Sequence, residues 1–376
     1  MITNIHKHWK IKKLGEICKV NQGLQIAIEE RFTEPIENGY FYITNEFLKA
    51  NSKTKYYIKN PSKSVLCSKE DILMTRTGNT GIVVSDVEGV FHNNFFKIDY
   101  DKKLLHKDYL VYYLKNDRMQ YDILVKAGNS TIPDLNHSDF YTLQIVIPPL
   151  EEQEKIAEIL LSCDKAIRLT SQIITQLKQR NQGLAQQLLT GEKRVKGFEK
   201  SVWKEVRLGE LLDYEQPTNY LVKNTDYSDE YKIPVLTAGK TFILGYTNEK
   251  EGICTNIPLI LFDDFTTDSR YIDFPFKVKS SAVKLLKAKK NVNLRFIFEA
   301  MKLIKYAIGG HERHWISKYA FLTIFVPSFK EQNAIAQILD TVHQELKLYE
   351  QKLQLLQAQK KTLMQKLLTG EVLTIK

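Results

Sequence analysis

Two stretches of this chain place apolar or small residues at alternating steps of four and three. The first series runs Ile156, Leu160, Cys163, Ile167, Thr170, Ile174, Leu177, Asn181, Leu184 and Leu188. The second runs Ile335, Leu339, Val342, Leu346, Tyr349, Leu353, Leu356, Lys360, Leu363 and Leu367. That period predicts two long helices with coiled-coil seams. Each seam has one strongly polar break, Asn181 and Lys360, at the equivalent place, a device that fixes register at some cost in stability. Pro148-Pro149 opens the first helix, and Glu151, Glu152 and Glu154 suit the positive end of its dipole. Ser328 and Glu331 read as a capping box at the start of the second. Gly191 and Gly370 supply the stops. A helix of this length measures roughly 60 Å. Alone it leaves its seam in water, so each seam is expected to cover the other. A pseudo-twofold relation between the copies would make the pair antiparallel and point what they carry to opposite ends.

The copies are related in sequence as well as in period. PPLEEQEKIAEIL from Pro148 returns as PSFKEQNAIAQIL from Pro327, and LLTGE from Leu188 returns from Leu367. The offset is 179 throughout, and 17 of the 45 positions in Pro148–Glu192 are identical in Pro327–Glu371. Before each helix stands a second echo, Trp9-Lys10 with Leu14-Gly15-Glu16 and Trp203-Lys204 with Leu208-Gly209-Glu210. The expected plan is therefore head, helix, head, helix: residues 1–147 as the first head, 148–192 as the central helix, 193–326 as a linker with the second head, and 327–376 as the distal helix. KRVKGFEKS from Lys193 reads as a charged linker.

Within the heads the pattern shortens. Runs such as YFYITNEF from Tyr40, DILMTRTGNTGIVVS from Asp71, IPLILF from Ile257 and FPFKVKS from Phe274 predict strands. DYLVYYLKN from Asp108 and LRFIFEAMKLI from Leu294 predict aromatic, core-packed helices. LQIVIP and LTIFVP predict the last strands before the long helices. Each head is read as α+β. The middles of the two heads do not align, and the first is 15 residues longer between tryptophan and proline, 139 against 124. Trp9 and Trp203 are read as core anchors.

Charge sharpens this picture. Of the net +10, the central helix contributes five basic against six acidic residues, and residues 327–376 contribute seven against five. The heads and linker hold the remaining +9, which suits a polyanionic partner. There is no membrane-length apolar run and no signal-peptide core, so the expected location is the cytoplasm. Cys18, Cys67, Cys163 and Cys254 show no zinc spacing, and Cys163 reads as a buried thiol.

Catalytic motifs are missing. AGKT at Ala238–Thr241 has Pro234 where a phosphate-binding loop needs its earlier glycine. GxSxG, HExxH and glycine-rich dinucleotide turns are absent. Asp263-Asp264 reads as a polar strand-end turn. Donors suited to phosphates and base edges do gather on predicted loops. In the first head they are Arg76, Thr77, Asn79, Thr80, His92, Asn93, Asn94, Asn129, Ser130 and Thr131. In the second they are Lys240, Thr241, Thr266, Thr267, Arg270, His311, Arg313 and His314. The same residue types also build ordinary solvated turns. Gly78, Gly128 and Gly309 are read as turn formers.

The doubled PPLEEQEKIAEIL…LLTGE and PSFKEQNAIAQIL…LLTGE segments resemble the central and distal helical regions of type I restriction–modification specificity subunits. TRTGNTG with DLNHSDFYTLQIVIPPLEEQ is similar to one version of that family's target-recognition domain. VLTAGKTFILGYTNE with ILFDDFTTDSRYIDFPFKVKSSAVKLL is similar to another. The resemblance covers essentially the whole chain. It departs at Ser328, which stands where the first copy has Pro149.

The resemblance implies a non-catalytic DNA-binding subunit with two α+β heads separated by a long antiparallel two-helix coiled coil. Each head would read half of a bipartite asymmetric site in double-stranded DNA, and the helix pair would set the spacer. Two methyltransferase subunits and two restriction/translocase subunits are the implied partners, directed to adenine methylation and cleavage. S-adenosylmethionine, ATP and Mg would belong to those partners, leaving this chain without a cofactor. A free-standing bivalent DNA-binding regulator and a coiled-coil scaffold that tethers proteins are the competing readings.

Overall fold

The computed structural model describes residues 6, 9–49, 52–128, 131–237, 241–306 and 314–374. The first head contains, in chain order, β1 (Lys10–Lys13), α1 (Leu14–Ile17), β2 (Cys18–Gln22), β3 (Tyr40–Ile43), β4 (Tyr56–Ile58), β5 (Leu66–Cys67), β6 (Ile72–Thr75), β7 (Val83–Val84), β8 (Gly89–Phe91) and β9 (Phe95–Tyr100). Then come α2 (Lys107–Lys115), α3 (Asp117–Ala127), α4 (His137–Thr142), β10 (Gln144–Ile147) and the 40-residue helix α5 (Leu150–Leu189). The second head contains β11 (Lys204–Arg207), α6 (Leu208–Leu211), β12 (Leu212–Glu215), β13 (Ile233–Leu236), β14 (Ile243–Thr247), β15 (Leu259–Asp263), β16 (Ser269–Ile272), β17 (Lys277–Val278) and β18 (Val283–Ala288). After these come α7 (Leu294–Met301), α8 (His314–Ser317), β19 (Thr323–Val326) and the 41-residue helix α9 (Phe329–Thr369).

The two heads share a strand plan that their sequences hide. β1 pairs antiparallel with β10, and β11 with β19. The sheet β2-β9-β6-β7 has its match in β12-β18-β15-β16. The order β4-β3-β8 has its match in β14-β13-β17, each with one parallel pair, β3–β8 and β13–β17. Strand β5 and helix α3 belong to the first head alone among the described residues. They account for part of its extra length.

The chain divides into two compact units, Met1–Ser171 with Lys352–Lys376, and Gln172–Gln351. Each unit thus holds one head and part of both long helices. In the first unit Asp164 accepts from Lys360 Nζ at 2.5 Å, and Ile156 and Leu160 share a core with Leu367 and Leu368. In the second, Asn181 Nδ2 donates to the Val342 carbonyl at 2.9 Å, Lys178 pairs with Glu350 at 2.8 Å, and Leu188 and Leu189 share a core with Ile335 and Leu339. Rising numbers on one helix meet falling numbers on the other, so within each unit the segments run antiparallel. All twenty seam positions are shielded. Ile156, Leu160, Thr170, Ile174, Leu177, Asn181, Leu188, Ile335, Leu339 and Leu367 are buried. Cys163, Ile167, Leu184, Val342, Leu346, Tyr349, Leu353, Leu356, Lys360 and Leu363 are half-buried. Each fully buried leucine stabilises by about 1.5–3 kcal/mol.

Paired contacts seat each head on its helices. Gln153 accepts from His106 N at 2.9 Å and donates to the Leu104 and Pro148 carbonyls, both at 2.9 Å. Gln332, 179 residues on, accepts from Asn293 N at 2.9 Å and donates to the Pro327 carbonyl at 3.0 Å. In both cases an N-cap amide ahead of the aromatic helix is satisfied by a glutamine in the first turn of a long helix. Gly370 (φ +73°) lies beneath Trp9 and Gly191 (φ +75°) beneath Trp203, so a left-handed stop and a tryptophan meet in both copies.

The capping box is only half formed. The Ser328 hydroxyl accepts from Glu331 N at 3.4 Å, but the Glu331 carboxylate is wholly buried and turns instead to Arg194 at 3.0 Å and to the Ser201 hydroxyl. The stronger cation wins the carboxylate, and the linker is thereby pinned. The equivalent Glu152, also buried, accepts from Thr374 N at 2.6 Å.

Candidate nucleic-acid interface

In the first head the β2–β3, β6–β7 and β8–β9 connections and the segment before α4 form one rim. Arg76 N donates to the Asn94 carbonyl at 2.7 Å, and Leu135 N to the Arg76 carbonyl at 2.8 Å. Asn93 N donates to the Leu24 carbonyl at 3.1 Å. Gly78 and Gly81 take φ of +83° and +92°, which closes the Arg76–Gly81 turn. Asn45 Nδ2 reaches the Thr77 carbonyl at 3.3 Å. The rim therefore brings together Arg76, Thr77, Asn79, Asn93 and Asn94.

These residues are not equally available. Arg76 is committed to Asp134 at 2.7 Å and lies over the Phe96 ring at 5.7 Å. Thr80 is buried, its hydroxyl donating to the Pro133 carbonyl at 2.6 Å. It locks the turn and does not face solvent. Asn79 and Thr131 are exposed, and Thr77, Asn93 and Asn94 are half-buried. Asn129 and Ser130 lie outside the described residues.

His92 supports the rim from below. Its Nδ1 accepts from Asn94 N at 3.0 Å. Burial, reinforced by the Arg31 charge, pulls its pKa down to about 4, so the ring is neutral and free to accept.

The structure adds three amides that the sequence reading missed. Gln22 and Gln25 are exposed beside Asn93, with Asn93 Nδ2 donating to Gln25 Oε1 at 2.7 Å and Gln22 Nε2 to the Asn93 carbonyl at 3.4 Å. Asn45 is the third. The signal was present as two glutamines flanking Gly23, but nothing local ties that turn to Asn93, 68 residues away.

In the second head, Asp263 closes the β15–β16 turn. Its carboxylate accepts from Phe265 N at 2.9 Å and from the Thr266 hydroxyl at 2.5 Å, and Thr267 adopts φ +59°. Arg270 is exposed, pairs with Asp268 at 3.3 Å and lies over Phe242 at 5.5 Å, next to exposed Thr241. A cleft of about 450 Å³ beside the turn is lined by Thr267, Arg270, Phe298, Lys302, Tyr306 and Tyr319, among others. Thr241, Thr266, Thr267 and Arg270 thus lie near one edge of the head.

His314 does not join them. It is wholly buried, with N donating to the Asp264 carbonyl at 3.0 Å and Nδ1 3.3 Å from Tyr306 Oη. It opens the short helix α8, whose next residue, Trp315, fills the core and draws the histidine inward. Lys240, His311 and Arg313 lie outside the described residues. Asp264 accepts from Trp315 N at 2.8 Å and faces Lys284 at 3.3 Å, so the Asp263-Asp264 pair serves structure. No group of His, Cys, Asp and Glu suited to a metal occurs among the described residues. Burial pushes the Cys18 and Cys67 thiols up to about 12 and about 11, which makes them inert as nucleophiles at neutral pH. Cys163, expected to be buried, is half-buried.

A family profile described as the type I restriction modification DNA specificity domain matches residues 6–179 and again 200–358. The chain belongs to this family. It is 47% identical over 146 residues to the EcoR124I/EcoR124II specificity subunit of Escherichia coli, covering 35% of this chain and 36% of that relative. It is 24% identical over 406 residues to the MjaVIII specificity subunit of Methanocaldococcus jannaschii, covering 98% and 94%. The crystal structure of the type I restriction–modification S subunit from M. genitalium shares the fold at a TM-score of 0.67, with 19% identity over 97% of this chain and 96% of that one. No helix among the described residues is long and apolar enough to cross a membrane.

Proposed function

We propose that this chain is the sequence-specific DNA-recognition subunit of a type I restriction–modification complex. Each head reads one half of a bipartite site, and the helix pair serves as the spacer. The observation that carries this reading is that the specificity-domain profile falls twice on the chain, once over each head. The heads repeat one strand plan while offering different side chains, amides in the first and Thr266, Thr267 and Arg270 in the second. That arrangement suits two unlike half-sites. The chain contributes recognition, and the methyl transfer and cleavage belong to two methyltransferase subunits and two restriction/translocase subunits. S-adenosylmethionine, ATP and Mg are held and used by those partners, in the cytoplasm.

The test is to express the chain with its methyltransferase subunits and map the methylated motif in the host genome. A two-part motif is expected. Exchanging residues 1–147 for the head of another family member should change one part only. A change in both parts, or a single uninterrupted motif, refutes the two-reader scheme. Specific binding without methylation in the presence of the partners favours a free-standing regulator.

A further inference from the structure

We infer that Gln25 reads a base edge in the half-site of the first head, and that Asn93 is the residue that positions it. This rests on the DNA-recognition reading above. Gln25 is exposed, yet the backbone on either side of it is fixed by hydrogen bonds. Leu24 N donates to the Phe91 carbonyl at 2.9 Å. The Leu24 carbonyl accepts from Tyr42 Oη at 2.6 Å and from Asn93 N at 3.1 Å. The Ile26 carbonyl accepts from Arg31 through Nε at 3.2 Å and Nη2 at 2.7 Å. The Arg31 guanidinium is itself held over the rings of Tyr42 and Tyr56 at 5.3 and 5.5 Å. Gly23 is obligatory, because a Cβ there would lie 2.1 Å from the Phe91 carbonyl oxygen.

A solvated glutamine needs none of this, whereas a contact residue needs its backbone preorganised. The side chain is oriented as well, by Asn93 Nδ2 at 2.7 Å from Oε1. Among the described residues nothing pairs with Gln25 Nε2. An amide with a free N–H edge and a second lone pair on its oxygen matches the N7 acceptor and N6 donor of adenine in the major groove. Gln25 therefore takes an A·T pair, with Nε2 donating to N7 and Oε1 accepting from N6.

The experiment uses the chain assembled with its methyltransferase subunits and a panel of duplexes substituted singly at each position of the mapped motif, with binding read by fluorescence anisotropy. For the wild type, replacing the A·T pair that Gln25 reads should weaken binding roughly tenfold. The Gln25→Ala complex should bind the native duplex about tenfold more weakly and no longer distinguish that pair, while every other position discriminates as before. Asn93→Ala should relax the same position more weakly. Unchanged discrimination at every position overturns the assignment. So does an equal loss of binding to all duplexes, random DNA included, or relaxation in the half-site of the second head. A wild-type complex that discriminates nowhere defeats the recognition reading itself, independently of the variant.

Discussion

The places where the two heads meet the long helices are built alike and filled differently. Gln153 and Gln332 each satisfy an N-cap amide and the proline carbonyl ahead of their own helix, and Glu152 and Glu331 each receive the segment that follows a helix stop. Beside them the two copies part. In the first, Asp164 accepts from Tyr112 Oη at 2.6 Å and from Lys360 at 2.5 Å. In the second, His343, the counterpart of Asp164, stands 2.9 Å from Arg295 Nη2 and 3.9 Å from Glu299, while Asn181 turns to the Val342 carbonyl. The glutamines that cap a helix start and the buried glutamates beside them persist at the 179-residue offset. The polar partners gathered around Asp164 and His343 are exchanged as a set. The polar breaks Asn181 and Lys360 occupy one site in the repeat and solve it in two ways.

The comparison breaks most easily at Glu331. Glu331→Ala leaves Arg194 without its buried carboxylate and should cost the second unit about 3–5 kcal/mol, read from urea unfolding of the full chain. Glu152→Ala, which loses the Thr374 amide, should cost about 1–3 kcal/mol. Equal losses would show that the two glutamates are energetically equivalent after all. Gln153→Ala and Gln332→Ala should each cost about 1–3 kcal/mol, because either leaves buried backbone groups unpaired. Similar values would support the shared frame, and a neutral result at either site would remove it.

Titration separates the units further. Burial lowers the pKa of His343 in the second unit, and burial with Arg31 lowers that of His92 to about 4 in the first. For both, the folded value lies below the unfolded one, so the unfolded chain takes up the proton first as pH falls. Stability is full above about 6.5 and declines below it, for His92 down to about 4. His92→Gln should flatten that decline in the first unit alone, as followed by urea midpoints from neutral pH to pH 4.5. The smallest effect belongs to the exposed pair Lys178–Glu350, where Lys178→Ala should change stability by less than about 1 kcal/mol.

The long helices were legible because their period is local. A four-three step from Ile156 to Leu188 needs no knowledge of the partner, and every residue it selects is shielded. The capping box forms only in its serine half because the Glu331 carboxylate finds Arg194, 137 residues earlier in what reads as a plain charged linker. The common strand plan of the heads was invisible for a related reason. Strand pairing depends on the pleat and on burial, and IPVL can replace YFYI beside a parallel neighbour without one identity. At the candidate interface, residue type located the loops but not the exposed atoms. Thr80 and His314 carry suitable donors and spend them inside the head, whereas Gln25 became visible only when the turn around it was seen to be fixed from both sides.

The first unit draws on residues 1–171 and again on 352–376. A growing polypeptide therefore makes the first head early but holds Ile156 and Leu160 partly uncovered until Leu367 and Leu368 have left the ribosome. The second unit, drawn from one uninterrupted span, has all its parts sooner. Order of synthesis thus sets order of closure, and the head translated first is the last to be sealed.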